Sequence, residues 1–159
     1  MQSIKVLLAS SSPRRREILL EMGVEFDVCP TDADESSVAE NDPKKLVKAL
    51  SRLKSAPASM AHPECVVIGA DTIVVKGGKI YGKPLTEERA VCMLKELCGA
   101  WHTVYTGVTV AYLGKVKTFV VKSKVKFKDL TEEQIAEYVR TYKPLDKAGA
   151  YGIQDEEIV

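Results

Sequence analysis

The most chemically loaded stretch of the chain runs out of a short apolar segment into Ser10-Ser11-Ser12-Pro13-Arg14-Arg15-Arg16. Ser12 is a good helix N-cap and Pro13 a good first helical residue. A helix is therefore predicted to open there and run through Ile18, Leu19 and Met22 to a stop at Gly23. Its first N–H groups lack partners within the helix and carry the positive end of its dipole, which favours an anion. At about 100° per residue, Arg15 falls near the middle of the arc made by Ile18, Leu19 and Met22, with Arg14 at its edge and Arg16 off it. Arg14 and Arg15 are predicted to point inward, where forked guanidiniums grip phosphate oxygens, and Arg16 to be an ordinary surface charge.

A second signal is Asp71, a carboxylate inside the most hydrophobic segment of the chain, Cys65 to Val75. In such a strand it must be paired, bound to a metal or set at the strand's mouth to offset its desolvation; a structural cap on the next turn is the plainer alternative. Beside a phosphate site it suggests magnesium, with Glu35 or Asp34 of the acidic stretch Pro30 to Asn41 as a second oxygen ligand. Taken alone, Glu35 reads as a solvated loop carboxylate. Lys54 ends an apolar helical stripe, where it could simply snorkel, and Lys83 is fixed between Gly82 and Pro84. With Arg14 and Arg15 they set four cations against the roughly four negative charges of a triphosphate. Thr72 and Gln154 add groups of the kind that read a base edge, although a lone Thr in a strand is also just a good β-former.

Those residues need a scaffold. Ile4 to Ala9 and Phe26 to Cys29 read as strands flanking the first helix, an α/β opening. A helix is predicted from Asp42-Pro43, with Val47, Leu50 and Lys54 on one face, ended by Pro57. Gly77-Gly78 reads as a hairpin turn into Lys79-Ile80-Tyr81, and Gly82-Lys83-Pro84 forces an extended break. Thr86 caps a helix through Ala90, Met93, Leu94 and Leu97, closed by Gly99. His102 to Tyr112 and Lys115 to Phe127 form a hairpin across Gly114. In its second arm Phe119, Val121, Val125 and Phe127 take the inner face, and Val120, Lys122, Lys124 and Lys126 the wet one. Thr131-Glu132-Glu133-Gln134 is a capping box opening a helix through Ile135, Tyr138 and Val139. The glycine-rich stretch Pro144 to Gln154 has neither period and reads as a site loop.

With 159 residues, 45% of them hydrophobic, the chain suits one domain with one good core. The 23 basic and 22 acidic side chains leave a formal charge of +1. No overall field therefore gathers nucleic acid or membrane, and the lysines of the second hairpin arm read as a solvated face rather than a nucleic-acid stripe. No apolar signal region opens the chain and no hydrophobic run is long enough to span a bilayer, so a soluble, cytoplasmic protein is expected. Cys29, Cys65, Cys92 and Cys98 show no paired short spacing, and the histidines are His62 and His102 alone. Neither a zinc site nor a disulfide framework is suggested, and the thiols read as reduced and mostly core.

Four segments carry a close resemblance to a known family: Leu8-Ala9-Ser10-Ser11-Ser12-Pro13-Arg14-Arg15, Gly69-Ala70-Asp71-Thr72-Ile73-Val74, Gly82-Lys83-Pro84, and Leu145-Asp146-Lys147-Ala148-Gly149-Ala150-Tyr151-Gly152-Ile153-Gln154. They resemble the signatures of the Maf family of nucleoside triphosphate pyrophosphatases, over nearly the whole chain. The resemblance implies an α/β fold with an elongated mixed β-sheet flanked by helices, related to the inosine triphosphatase fold. It also implies a divalent metal cation, magnesium or manganese, a homodimer, and hydrolysis of a nucleotide to its monophosphate and pyrophosphate. Asp71 matches the family's proposed proton acceptor. Ser10, Arg15, Glu35, Lys54 and Lys83 match its other site positions, Glu35 serving with Asp71 as metal ligand. Arg14, Thr72 and Gln154 resemble the subgroup acting on dTTP and UTP rather than the one acting on 7-methyl-GTP. Family members run on past the Gly152-Ile153-Gln154 loop through another hairpin and a helix, whereas here Asp155 to Val159 follow. Residues 1–159 are accordingly expected to form a single Maf-like domain without that segment. The expected function is hydrolysis of dTTP, UTP and modified pyrimidine nucleotides; the rivals are 7-methyl-GTP hydrolysis and nucleotide binding without catalysis.

Overall fold

The computed structural model describes residues 3–159. In chain order the elements are β1 (Val6–Leu8), α1 (Pro13–Glu21), β2 (Asp27–Val28), α2 (Pro43–Ala61), β3 (Val66–Lys76), β4 (Lys79–Tyr81), α3 (Glu87–Leu97), β5 (Trp101–Tyr112), β6 (Lys115–Lys126) and α4 (Glu132–Tyr142), with short 3-10 turns at Glu35–Ser37 and Ala148–Ala150. The strands form one mixed sheet in the order β2-β1-β3-β5-β6, with β4 paired to β3. β1 runs parallel to both β2 and β3, and β4 antiparallel to β3. This is the α/β mixed sheet with flanking helices that the sequence predicts. The chain divides into two compact units, Met1–Asp71 with Thr106–Val121, and Thr72–Tyr105 with Lys122–Val159. β3, β5 and β6 contribute residues to both.

In the first unit, α2 buries Val47, Leu50, Ser51, Lys54, Ser55 and Ala58, a stripe at helical spacing. The helix comes close because the strands beneath it carry glycine. A Cβ at Gly69 would lie 2.8 Å from the Ser51 carbonyl oxygen, and one at Gly107 would lie 2.2 Å from that of Val47. Polar contacts fix the docking laterally: the Ser51 and Thr109 hydroxyls lie 2.7 Å apart, and Arg52 Nε donates to Thr118 at 2.9 Å. Contrary to expectation, Pro57 does not end α2. Proline costs the helix one hydrogen bond, but Ala58 packs in the small core with Leu7, Ala9 and Val67, and His62 N–H still reaches the Ala58 carbonyl, so burial carries the helix through.

The second unit holds a larger core, in which Val74, Leu94, Leu97, Phe127, Ile135 and Val139 are all almost completely buried. Each such side chain contributes roughly 1.5–3 kcal/mol of apolar burial. The predicted caps are present: Thr86 on α3, and on α4 the full capping box between Thr131 and Gln134. The alternation read in β6 is half right. Val125 and Phe127 are buried, but Phe119 and Val121 are 43% and 50% exposed. Pleating sets the direction of a side chain, whereas burial also needs a covering layer; Val125 and Phe127 find one in this core, and Phe119 and Val121 find none among the described residues. The thiols are free as expected, yet only Cys65 is buried; Cys92 is exposed and Cys29 and Cys98 are intermediate. No helix among the described residues is long and apolar enough to cross a membrane.

Candidate active site

The opening signature folds as its residue types dictate. Ser12 caps α1 by accepting from Arg15 N–H, with Pro13 in the first turn. The inward line of the helix is narrower than the predicted arc: Ser12, Arg15 and Leu19 are half-buried, while Ile18 and Met22 are 40% and 68% exposed. A nine-residue helix with no buried side chain covers its neighbours through a single stripe, and that stripe follows the 12-15-19 spacing. Arg15 therefore points inward as predicted. Arg14 does not: it is exposed and pairs with Glu17 at 3.2 Å. Arg16 is exposed, as expected. Buried Ser10 accepts from Ser12 N–H at 3.1 Å and from the Arg15 guanidinium at 3.3 Å, which ties arginine and serine turn together.

Lys54 is the hub of the first unit. Its Nζ lies 2.5 Å from Asp71 Oδ1 and 2.9 Å from Glu35 Oε1, and the Lys54 and Asp71 side chains are about nine-tenths buried. The close approach of α2 at Gly69, two residues before Asp71, makes this reach possible. Glu35 is presented by its 3-10 turn, which Asp34 caps by accepting from Ser36 N–H at 3.0 Å. Of the two candidates in the acidic loop, the turn thus consumes Asp34 and delivers Glu35. Burial pushes the Asp71 carboxyl above its ordinary range and outweighs the pull of Lys54; Glu35 adds to the push and Arg15 opposes it. Burial likewise pulls the Arg15 guanidinium down, against the Asp71 and Glu35 carboxylates. Ser10, Arg15, Glu35, Lys54 and Asp71 are brought together.

Thr72, Lys83 and Gln154 belong to the second unit. Thr72, half-buried, shares with Val74 one face of β3. Lys83 is exposed in the break after β4, and Gln154 is exposed in the glycine-rich loop. These two segments are stitched together: Gly149 N–H donates to the Gly82 carbonyl at 3.2 Å, and Leu85 N–H to that of Leu145 at 3.2 Å. Gly149 takes a φ of +70°, and a Cβ on it would press to 2.8 Å from the Val74 side chain, so the loop rests on that face of β3. Two residues without a sequence signal for this role, His102 and Tyr151, form a buried hydrogen bond behind the loop. In the sequence His102 bears only on a zinc site, and its link to Tyr151 spans 49 residues, too far for any local pattern to signal it.

Among the described residues no group of three or more His, Cys, Asp and Glu side chains could hold a metal. Two hard carboxylate oxygens do converge on one cationic centre at Lys54. That donor set fits a magnesium-type ion, which takes one or two carboxylates and completes its shell with phosphate oxygens and water.

Residues 5–159 match the family described as Maf-like protein. The chain belongs to the Maf family. This Maf chain is 47% identical over 152 residues to a Thermosipho africanus protein named dTTP/UTP pyrophosphatase, covering 96% of this chain and 78% of that one. It is 45% identical over 154 residues to a Thermotoga maritima protein of the same name, covering 96% and 74%. A Halalkalibacterium halodurans protein, also so named, is 44% identical over 149 residues, covering 94% and 78%. Among solved structures, the Staphylococcus aureus Ham1 protein superposes with a TM-score of 0.54 at 14% identity, covering 79% of this chain and 72% of that one. That likeness concerns the fold alone.

Proposed function

We propose that this Maf chain hydrolyses dTTP and UTP to the nucleoside monophosphate and pyrophosphate. The observation that carries the reading is the convergence of Arg15, Lys54, Glu35 and Asp71, in which buried Lys54 and Asp71 meet half-buried Arg15 and exposed Glu35, a mixture of cations and carboxylates suited to a polyanion. Relatives of 44–47% identity named dTTP/UTP pyrophosphatase support the choice of substrate.

Arg15 and Lys54 hold phosphate oxygens, and Arg14 and Lys83 contribute the remaining positive charge. Glu35 and Asp71 are the residues that would hold a divalent cation, magnesium or manganese; when bound it supplies Lewis acidity toward the phosphate oxygens. Asp71 accepts the proton of the attacking water at the carboxylate oxygen that Lys54 does not occupy. The water oxygen bonds to the α-phosphorus, the bond from that phosphorus to the bridging oxygen breaks, and pyrophosphate leaves. Ser10 keeps Arg15 in place. Thr72 and Gln154 read the pyrimidine edge. The assembly is a homodimer and works in the cytoplasm.

The test is pyrophosphate release from dTTP, UTP and 7-methyl-GTP in the presence of magnesium. Fast release from the two pyrimidine nucleotides and near-inert 7-methyl-GTP is expected; preferential 7-methyl-GTP hydrolysis, or none at all, overturns the reading.

A further inference from the structure

His102 and Tyr151 take no part in the chemistry above, yet they are among the best-buried polar side chains of the second unit. His102 Nε2 and the Tyr151 hydroxyl lie 2.6 Å apart. The rings of His102, Phe127 and Tyr151 all meet edge to face, with centroids 4.6–5.4 Å apart. Burial, with a smaller contribution from Lys76, pulls the imidazole down to about 4, so it is neutral near pH 7. Its Nδ1 finds no hydrogen-bond partner among the described residues. An apolar side chain would fill this place without the cost of an unpaired buried nitrogen. The arrangement makes sense if the other nitrogen has a task.

That task lies in the loop. Tyr151 sits three residues before Gln154, inside the segment that Gly149 seats on Val74 and that Gly82 and Leu85 stitch to the lysine loop. On the far side, Gly152 N–H donates to Asp155 Oδ2 at 3.1 Å and to the Tyr138 hydroxyl at 3.3 Å, and that hydroxyl donates to Asp155. Gln154, itself exposed, lies in the chain between anchored Gly152 and Asp155, and a Cβ built on Gly152 would come within 3.3 Å of its Oε1. Val74 and Thr72 share a face of β3, so whatever seats the loop on Val74 also sets Gln154 relative to Thr72.

We propose that His102 and Tyr151 are positioning residues for base selection: their buried hydrogen bond holds the glycine loop where Gln154 and Thr72 address one base. The choice of substrates below rests on the pyrimidine reading; the placement of the loop does not.

Tyr151→Phe removes the hydroxyl and keeps the ring, and His102→Gln keeps a polar group at the other end. kcat and KM are measured on dTTP and GTP, together with hydrogen–deuterium exchange across residues 145–155 and across α2. For Tyr151→Phe the dTTP-over-GTP ratio of kcat/KM should fall about tenfold, mostly through a higher KM for dTTP. Exchange should quicken in 145–155 and stay unchanged in α2, and His102→Gln should fall between wild type and Tyr151→Phe. In a Gln154→Ala background, Tyr151→Phe should move the ratio by less than about twofold, because the two act through one contact. Equal losses in both backgrounds, or unchanged exchange in 145–155, overturn the proposal. Should Tyr151→Phe not fold, His102→Gln carries the same measurements. If the wild type cleaves neither nucleotide, the pyrophosphatase reading falls, and the exchange result by itself upholds or overturns the loop assignment.

Discussion

The two ends of the Lys54–Asp71 pair should respond very differently to removal. In Asp71→Asn, Lys54 keeps Glu35 at 2.9 Å, and the amide oxygen can still accept from Nζ, so stability should fall by only about 1 kcal/mol. Lys54→Met keeps the apolar stem but strips the ammonium from a carboxylate whose side chain is only 10% exposed. Breaking a buried pair from that side costs roughly 3–5 kcal/mol. Protonation of Asp71, already favoured by burial, caps the loss near the lower figure. Urea unfolding in chelator-containing buffer at pH 7 should therefore separate the variants by about 2 kcal/mol, with Lys54→Met the weaker. The double variant should lose less than the sum of the two, since removing both charges leaves nothing unpaired. Activity should not follow stability: Asp71→Asn, the more stable variant, should lose roughly two or more orders of magnitude in pyrophosphate release. An Asp71→Asn protein as unstable as Lys54→Met would refute the view that Glu35 is the spare partner of Lys54.

Three further outcomes follow from the same geometry. Gly69→Ala places a Cβ 2.8 Å from the backbone of α2 at Ser51, so it should cost about 1–3 kcal/mol in unfolding experiments and slow pyrophosphate release by moving Lys54; an unchanged enzyme would show that α2 has room to shift. Arg15→Ala should lose about 1–3 kcal/mol in kcat/KM relative to Arg16→Ala, the worth of a charge-assisted contact, and equal losses would contradict the inward stripe of α1. His102, held down to about 4 against an ordinary 6.5 with Tyr151 and Lys76 facing it, binds a proton in the unfolded chain that the folded chain refuses. Its contribution is complete above pH about 6.5 and is lost as the pH falls toward about 4, about 3 kcal/mol in all at about 1.4 per pH unit. Wild type should thus lose more stability than His102→Gln between pH 7 and pH 4.5, and parallel losses would count against a neutral buried imidazole.

Local chemistry was legible in the residue order. Ser12, Thr86 and the Thr131–Gln134 box stop and start helices through contacts within four residues, and Val47, Leu50 and Lys54 share a face because 3.6 residues make a turn; such features depend on nothing distant. The four segments that carry the family resemblance likewise contain Ser10, Arg15 and Asp71, candidate site residues that the first unit brings together. What neighbours decide was not legible. Pro57 stays helical because Ala58 has a core to enter, and Phe119 and Val121 are exposed because direction on a pleat does not supply a cover. Arg14 turns to Glu17 while Arg15 turns to Ser10, one residue apart, since only one stripe of α1 meets the rest of its unit. Residue type alone leaves Glu35 and Asp34 equivalent and the resemblance implies Glu35; the physical reason is in the folded turn, which uses Asp34 as its cap and leaves Glu35 to reach Lys54. The link from His102 to Tyr151 lay furthest from view: a contact between residues 49 apart leaves no period and no motif, and exists only once the sheet and the loop have packed around Phe127.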